Sequence, residues 1–137
     1  MNLTKKRKKK GFTLIELMAV IAIIAILAAV LVPTVTGYIE RSKKTAVITQ
    51  IRNVVSAIET YNATTYGNTA ISDDVTVASL VDKDDDVLIQ QDLLDKDDAD
   101  RLGTSLTVGL AKKINADPDA ISKITLDKGI FASTTIE

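Results

Sequence analysis

The sequence predicts an α+β fold, in which a long N-terminal α-helix packs against a small head carrying a short antiparallel sheet. Three observations carry that reading. From Phe12 to Val32 the only polar residues are Thr13 and Glu16. Farther on, Val47, Ile51, Val54, Ile58 and Tyr61 recur at steps of four and three, with Ile48 and Val55 beside them, the apolar face of an amphipathic helix. Near the end, ITLDKGIFASTTI reads as a hairpin of Ile124–Leu126 and Ile130–Thr135 turning at Asp127–Gly129.

Composition narrows the chemistry before any element is placed. The 137 residues suffice for one modest core, and they include no Cys, His or Trp. Disulfides, thiol nucleophiles, imidazole bases and Cys/His zinc sites are thereby excluded, leaving only carboxylate or lysine schemes for catalysis. No paired-carboxylate geometry can be argued from the Asp clusters, so the expectation is that the protein is not an enzyme and takes no cofactor. Six of the 17 basic residues fall before Gly11, with no acid among them; without those six, 11 basic face 18 acidic residues, a formal −7. A basic block of this kind suits nucleic acid when aromatics are interleaved, but here it abuts an apolar run. A cytoplasmic anchor for a membrane segment is the better reading, and nucleic-acid binding is not expected.

The apolar run comes next. Its 21 residues span roughly 31 Å as a helix, the thickness of a hydrocarbon core. Ten Leu, Ile or Val residues lie between Leu17 and Val32, and together they favour insertion by about 3–6 kcal/mol. Glu16 lies near one end, where its burial costs less than the 2.5–3.5 kcal/mol or so expected at the centre. A secretory signal would have a shorter apolar core and alanines at A-x-A spacing, and an uncleaved anchor would give Glu16 no purpose. Ala19, Ala22, Ala25 and Ala29 share one side of the helix, a stripe that permits close helix packing.

The combination KKKGFTLIEL, an apolar run and Pro33 resembles the N-terminus of type IV prepilins and the related pseudopilins. The resemblance covers residues 5–60. It implies a leader, 1–11, removed by a prepilin peptidase between Gly11 and Phe12, with N-methylation of Phe12. It further implies a membrane and filament-core helix over 12–33, the amphipathic half of the same helix over 34–66, and a head over 67–137. Glu16 would meet the Phe12 amine of a neighbouring subunit and set axial register, since each charge is costly when buried alone and tolerable when paired. Glu16 snorkelling to the membrane interface is the plainer alternative. The family's partners follow: further copies of the chain in a helical homopolymer, the peptidase, an assembly platform with its ATPase, and the membrane before assembly. The N-terminus would lie inside, the head outside, and the assembled product would be a surface pilus for adhesion, motility or DNA uptake.

A single helix from Leu14 to Tyr66 would run about 80 Å. Pro33 lacks an N–H and clashes with the carbonyl of Ala29, and Gly37 follows one turn on, so these two mark a weak point. A simple kink and local melting during assembly are both compatible with it. In the head, Gly67–Ser79 reads as a loop with a short strand at Val75–Ala78, and Asp85–Leu94 as a short helix. Leu106, Val108 and Leu110 alternate as in a strand, while Leu102, Leu106 and Leu110 equally suit a helix. Asp117-Pro118 looks like an N-cap before a first-turn proline. Asp82, Asp84 and Asp86 are spaced as in a calcium loop, but Val87 and Leu93 stand where its glycine and closing glutamate belong; Asp95, Asp97, Asp98 and Asp100 fail similarly, so no metal is expected. Asn62-Ala63-Thr64 has the N-x-T pattern and is read as a polar helix end. The head lacks the tyrosine-proline-threonine stretch and tryptophan turn of major secretion pseudopilins, which favours a pilin; a pseudopilin of a type II secretion or competence apparatus is the alternative.

Overall fold

The structure is a computed structural model, and it describes residues 9–65, 70–81 and 87–137. The leading element, α1, spans Leu14–Thr64 as one helix of 51 residues. Two compact units divide the chain, one ending at Tyr38 and the other running from Ile39 to Glu137. In the first unit every described side chain of α1 is exposed, including Leu17, Ile21, Ile24, Leu27 and Leu31.

In the second unit the predicted stripe is the spine of the core. Val47, Ile51, Val54 and Ile58 are fully buried, Val55 and Tyr61 nearly so, and Ala57 joins them. Around this stripe fold a 3₁₀ turn at Val77–Leu80, α2 at Val87–Gln90, a second 3₁₀ turn at Lys96–Ala99, α3 at Val108–Ala116 and α4 at Ala120–Lys123. The chain ends in an antiparallel pair, β1 (Ile124–Asp127) and β2 (Ile130–Thr134). Leu88, Leu102, Leu106, Val108, Ile114 and Ile124 close over α1 with at most 1% exposure. The fold is therefore mostly helical with a short sheet.

Two amides on α1 fasten the irregular segments. Gln50 donates to the Asp97 carbonyl at 3.0 Å and to the Asp100 carboxylate, and accepts from the Arg101 N–H at 3.1 Å. Asn62 accepts from the Ile71 N–H at 2.8 Å and donates to the Ile71 carbonyl at 3.1 Å, meeting both backbone groups as a paired strand would. Asn62 thus sits in the last turn of α1, as the polar-end reading requires, but its role is to hold the returning chain.

Several local readings are corrected. No strand forms at Val75–Ala78; Thr76 makes an isolated antiparallel bridge with Thr107, and the 3₁₀ turn starts at Val77. The helix expected over Asp85–Leu94 is shorter, Val87–Gln90 (Asp85 and Asp86 lie outside the described residues). A Schellman closure ends it: Asp92, at φ 55°, donates to Ile89 and Leu93 donates to Leu88 at 3.0 Å. The ambiguous leucine segment divides, with Leu106 flanking the bridge and α3 beginning at Val108 behind the Thr107 cap, whose hydroxyl accepts from the Leu110 N–H. Asp117 is not an N-cap in sequence position; it ends α3, and α4 begins at Ala120 behind Asp119. Its carboxylate nevertheless serves the new helix, accepting from the Asp119 N–H at 2.8 Å and from Lys123.

The hairpin forms, with Asp127 paired to Ile130 inside β1 so that the turn narrows to Lys128–Gly129, and β2 ends at Thr134, one residue short of the reading. Lys128 (φ 50°) and Gly129 (φ 87°) both adopt left-handed backbone, the two-residue turn that matches strand twist. The register shifts between Thr125 and Leu126, a bulge that turns β2 so that the Phe131 N–H reaches the Arg101 carbonyl at 2.8 Å. A side chain on Gly103 would come within 3.0 Å of the Phe131 oxygen, so this approach requires glycine.

Candidate functional site

The chemistry-bearing residues of the N-terminus lie in one short segment. Lys9 to Thr13 have no regular secondary structure and are exposed, and α1 begins at Leu14. The Gly11–Phe12 bond is therefore presented in accessible, non-helical backbone, and the Phe12 ring is 93% exposed. A Cβ added to Gly11 would meet nothing within 4 Å, and its φ lies outside the left-handed region. Nothing in the chain's own packing demands glycine there.

Thr13 and Glu16 close a capping box. The Glu16 carboxylate accepts from the Thr13 N–H at 3.0 Å, and the Thr13 hydroxyl accepts from the Glu16 N–H at 3.3 Å. The first intrahelical bond, Leu17 N–H to the Thr13 carbonyl at 3.2 Å, starts the helix on this platform. Two of the four donors that every helix start leaves unpaired are so satisfied, and the carboxylate lies at the positive end of the helix dipole. Within the chain Glu16 is held by Thr13 and not by Phe12. Thr13 is a capping residue that the apolar run conceals. Its signal was present, because T-x-x-E directly before an apolar run is the capping-box pattern.

Pro33 and Gly37 both lie inside α1, which continues through them. A Cβ on Gly37 would also meet nothing within 4 Å. Around the proline, hydroxyls bond back to the helix: Thr34 to the Val30 carbonyl at 3.2 Å and Thr36 to the Pro33 carbonyl at 2.9 Å. Such bonds satisfy polar side chains without water, as an apolar surrounding requires. Among the described residues α1 is the one helix long and apolar enough to cross a membrane.

Among the described residues no three acidic side chains are arranged to hold a metal ion. Asp95 and Asp98 are engaged in a capping box of their own on the second 3₁₀ turn. Asp82, Asp84 and Asp86 lie outside the described residues.

No curated protein and no solved structure matches the chain significantly. A family profile, the prokaryotic N-terminal methylation motif, matches residues 6–32. That span contains five of the six basic residues before Gly11, the exposed Gly11–Phe12 bond, the Thr13–Glu16 box and the apolar stretch up to Val32. The chain carries, over those residues, the signature of the prepilins and pseudopilins.

Proposed function

We propose that the protein is the structural subunit of a type IV pilus. In this reading it is cut after Gly11, N-methylated at Phe12 and polymerised through α1 into a surface filament. The carrying observation is the pairing of an exposed Gly11–Phe12 bond with an apolar first half of α1 whose single carboxylate, Glu16, is kept at its first turn. An apolar helix with no exposed-side partner in its own unit suits two successive surroundings, lipid first and other copies of the same helix later. In the second, the Glu16 carboxylate exchanges its Thr13 contact for the Phe12 ammonium of a neighbour, which sets axial register. The role is structural, not catalytic, and the partners are further copies, a prepilin peptidase and an assembly platform with its ATPase. Before assembly the subunit crosses the cytoplasmic membrane once, head outside.

Mass spectrometry of material sheared from native cells tests this. The expected result is an abundant N-terminal peptide starting at N-methylated Phe12 in the sheared fraction. The same peptide confined to membranes would instead indicate a pseudopilin, and a start beyond Ala28 would exclude both.

A further inference from the structure

Three cations ring α1 where it enters the second unit, and a fourth lies on the β1–β2 turn. Arg41 and Lys43 are exposed on the helix, and Lys44 is half-buried beside them. A Cβ on Gly129 would lie 3.8 Å from the Lys43 Cδ, so the β1–β2 turn, with exposed Lys128, sits against that side chain. Glu40 and Asp127 are the carboxylates of the same region, giving it a formal +2. The rest of the chain from Thr45 onward carries 7 basic and 15 acidic residues, a formal −8. Arg101, Lys112 and Lys123 have carboxylate partners; among the described residues, Arg41, Lys43, Lys44 and Lys128 have none. Ile39 and Ile130 stand by these cations with 46% and 43% of their surface exposed.

The position of this patch along the chain identifies its counterpart. Between Glu16 and Glu40 lie 23 uncharged residues. A hydrocarbon core takes about 20 in a helix, and the headgroup layer adds about 5–7 Å on each side. The first charges after the span therefore fall at headgroup depth, preceded by Tyr38, a residue type enriched at that boundary. We propose that this patch seats the head on anionic phospholipid headgroups of the outer leaflet while the subunit resides in the membrane. The proposal rests on the spanning reading given under Proposed function. Lysine and arginine heads meet phosphates there, while Ile39 and Ile130 reach toward the acyl boundary. The −8 remainder is repelled by the same surface, so the head is oriented as well as held. An acidic surface of a second copy is the competing partner for these cations; the two exposed isoleucines and the adjoining span favour lipid.

Acylation footprinting of the full chain in lipid nanodiscs tests it. One disc population would hold phosphatidylcholine alone and the other a phosphatidylglycerol mixture, each loaded with one copy per disc. Amine acetylation at Lys43, Lys44 and Lys128 is expected to slow about fivefold in the anionic discs, with Lys113 unchanged, and to recover at roughly 0.5 M salt. Equal rates in the two disc types would overturn the proposal. So would protection appearing only at two copies per disc, which would assign the patch to self-association. A chain that fails to co-elute with either disc defeats the spanning reading and this proposal with it; co-elution without protection defeats this proposal alone.

Discussion

Replacing Glu16 by alanine removes one carboxylate that both starts α1 and, in the proposed filament, answers the Phe12 ammonium. The two roles can be separated. Thr13→Val abolishes the box but keeps the carboxylate, and is expected to cost about 1 kcal/mol of helix start while filaments still form. Glu16→Ala is expected to leave cleavage intact and to abolish filaments. Comparing leader removal on a gel with pili counted by electron microscopy checks both, and normal piliation in Glu16→Ala would remove the register role. A second residue carries a pH dependence. The Lys123 hydrogen bond, and then the Asp119 N–H, hold the Asp117 carboxyl below the usual carboxylate range. A depressed folded-state value means that its stabilisation is present above the unfolded value, about 3.9, and is lost as pH falls through the folded one. Asp117→Asn should therefore melt lower than wild type at neutral pH, with the gap shrinking toward pH 3 in parallel thermal scans.

At the level of elements, α1 combines a strongly apolar first half with an interior proline. An interior Pro disfavours helix by about 3 kcal/mol, and Gly37 adds up to about 1 kcal/mol relative to alanine, with no packing that requires either within the chain. Pro33→Ala is expected to slow amide exchange around residues 30–37 in micelles. If local melting accompanies assembly, as the position suggests, the same variant will assemble poorly although its helix is better formed; full piliation would leave the proline a simple kink. The elements differed in how plainly the sequence announced them. Periodicity marked the buried face of α1 because the steps of four and three repeat from Val47 to Tyr61, about four turns. The Lys128–Gly129 turn was legible from its chemistry. Helix α2 was overread, since its stop is a left-handed aspartate, where glycine or asparagine is the usual marker. The Thr76–Thr107 bridge was unreadable because its partners lie 31 residues apart and each contributes a single pairing.

Across the whole molecule, the second unit rests on one stripe of α1, and its order depends on few large side chains. Ile51 is fully buried at the centre of that stripe. Ile51→Ala is expected to cost about 2–5 kcal/mol, lowering the melting midpoint of a unit this small by roughly 10 °C or more. Circular dichroism against temperature would show it, and an unchanged midpoint would contradict the packing described. Glu16 stood out in the sequence because a charge inside an apolar run calls for an explanation, whereas Gly11 and Phe12 drew notice only through the resemblance to prepilins. The anchoring amides Gln50 and Asn62 did not stand out, since a polar residue on a helix looks the same whether it faces water or a returning loop.

The basic residues on either side of the span have a further consequence for the order of events. Six lysines and arginines precede the apolar run, against Arg41, Lys43 and Lys44 just after it. Topology follows that excess. In the proposed reading, cutting at Gly11 would discard all six and reverse the balance, so the mature chain would no longer encode the orientation it was given. On that reading insertion would precede processing and the cut would be a one-way step: a processed subunit that left the membrane would lack the signal to re-enter it the same way round.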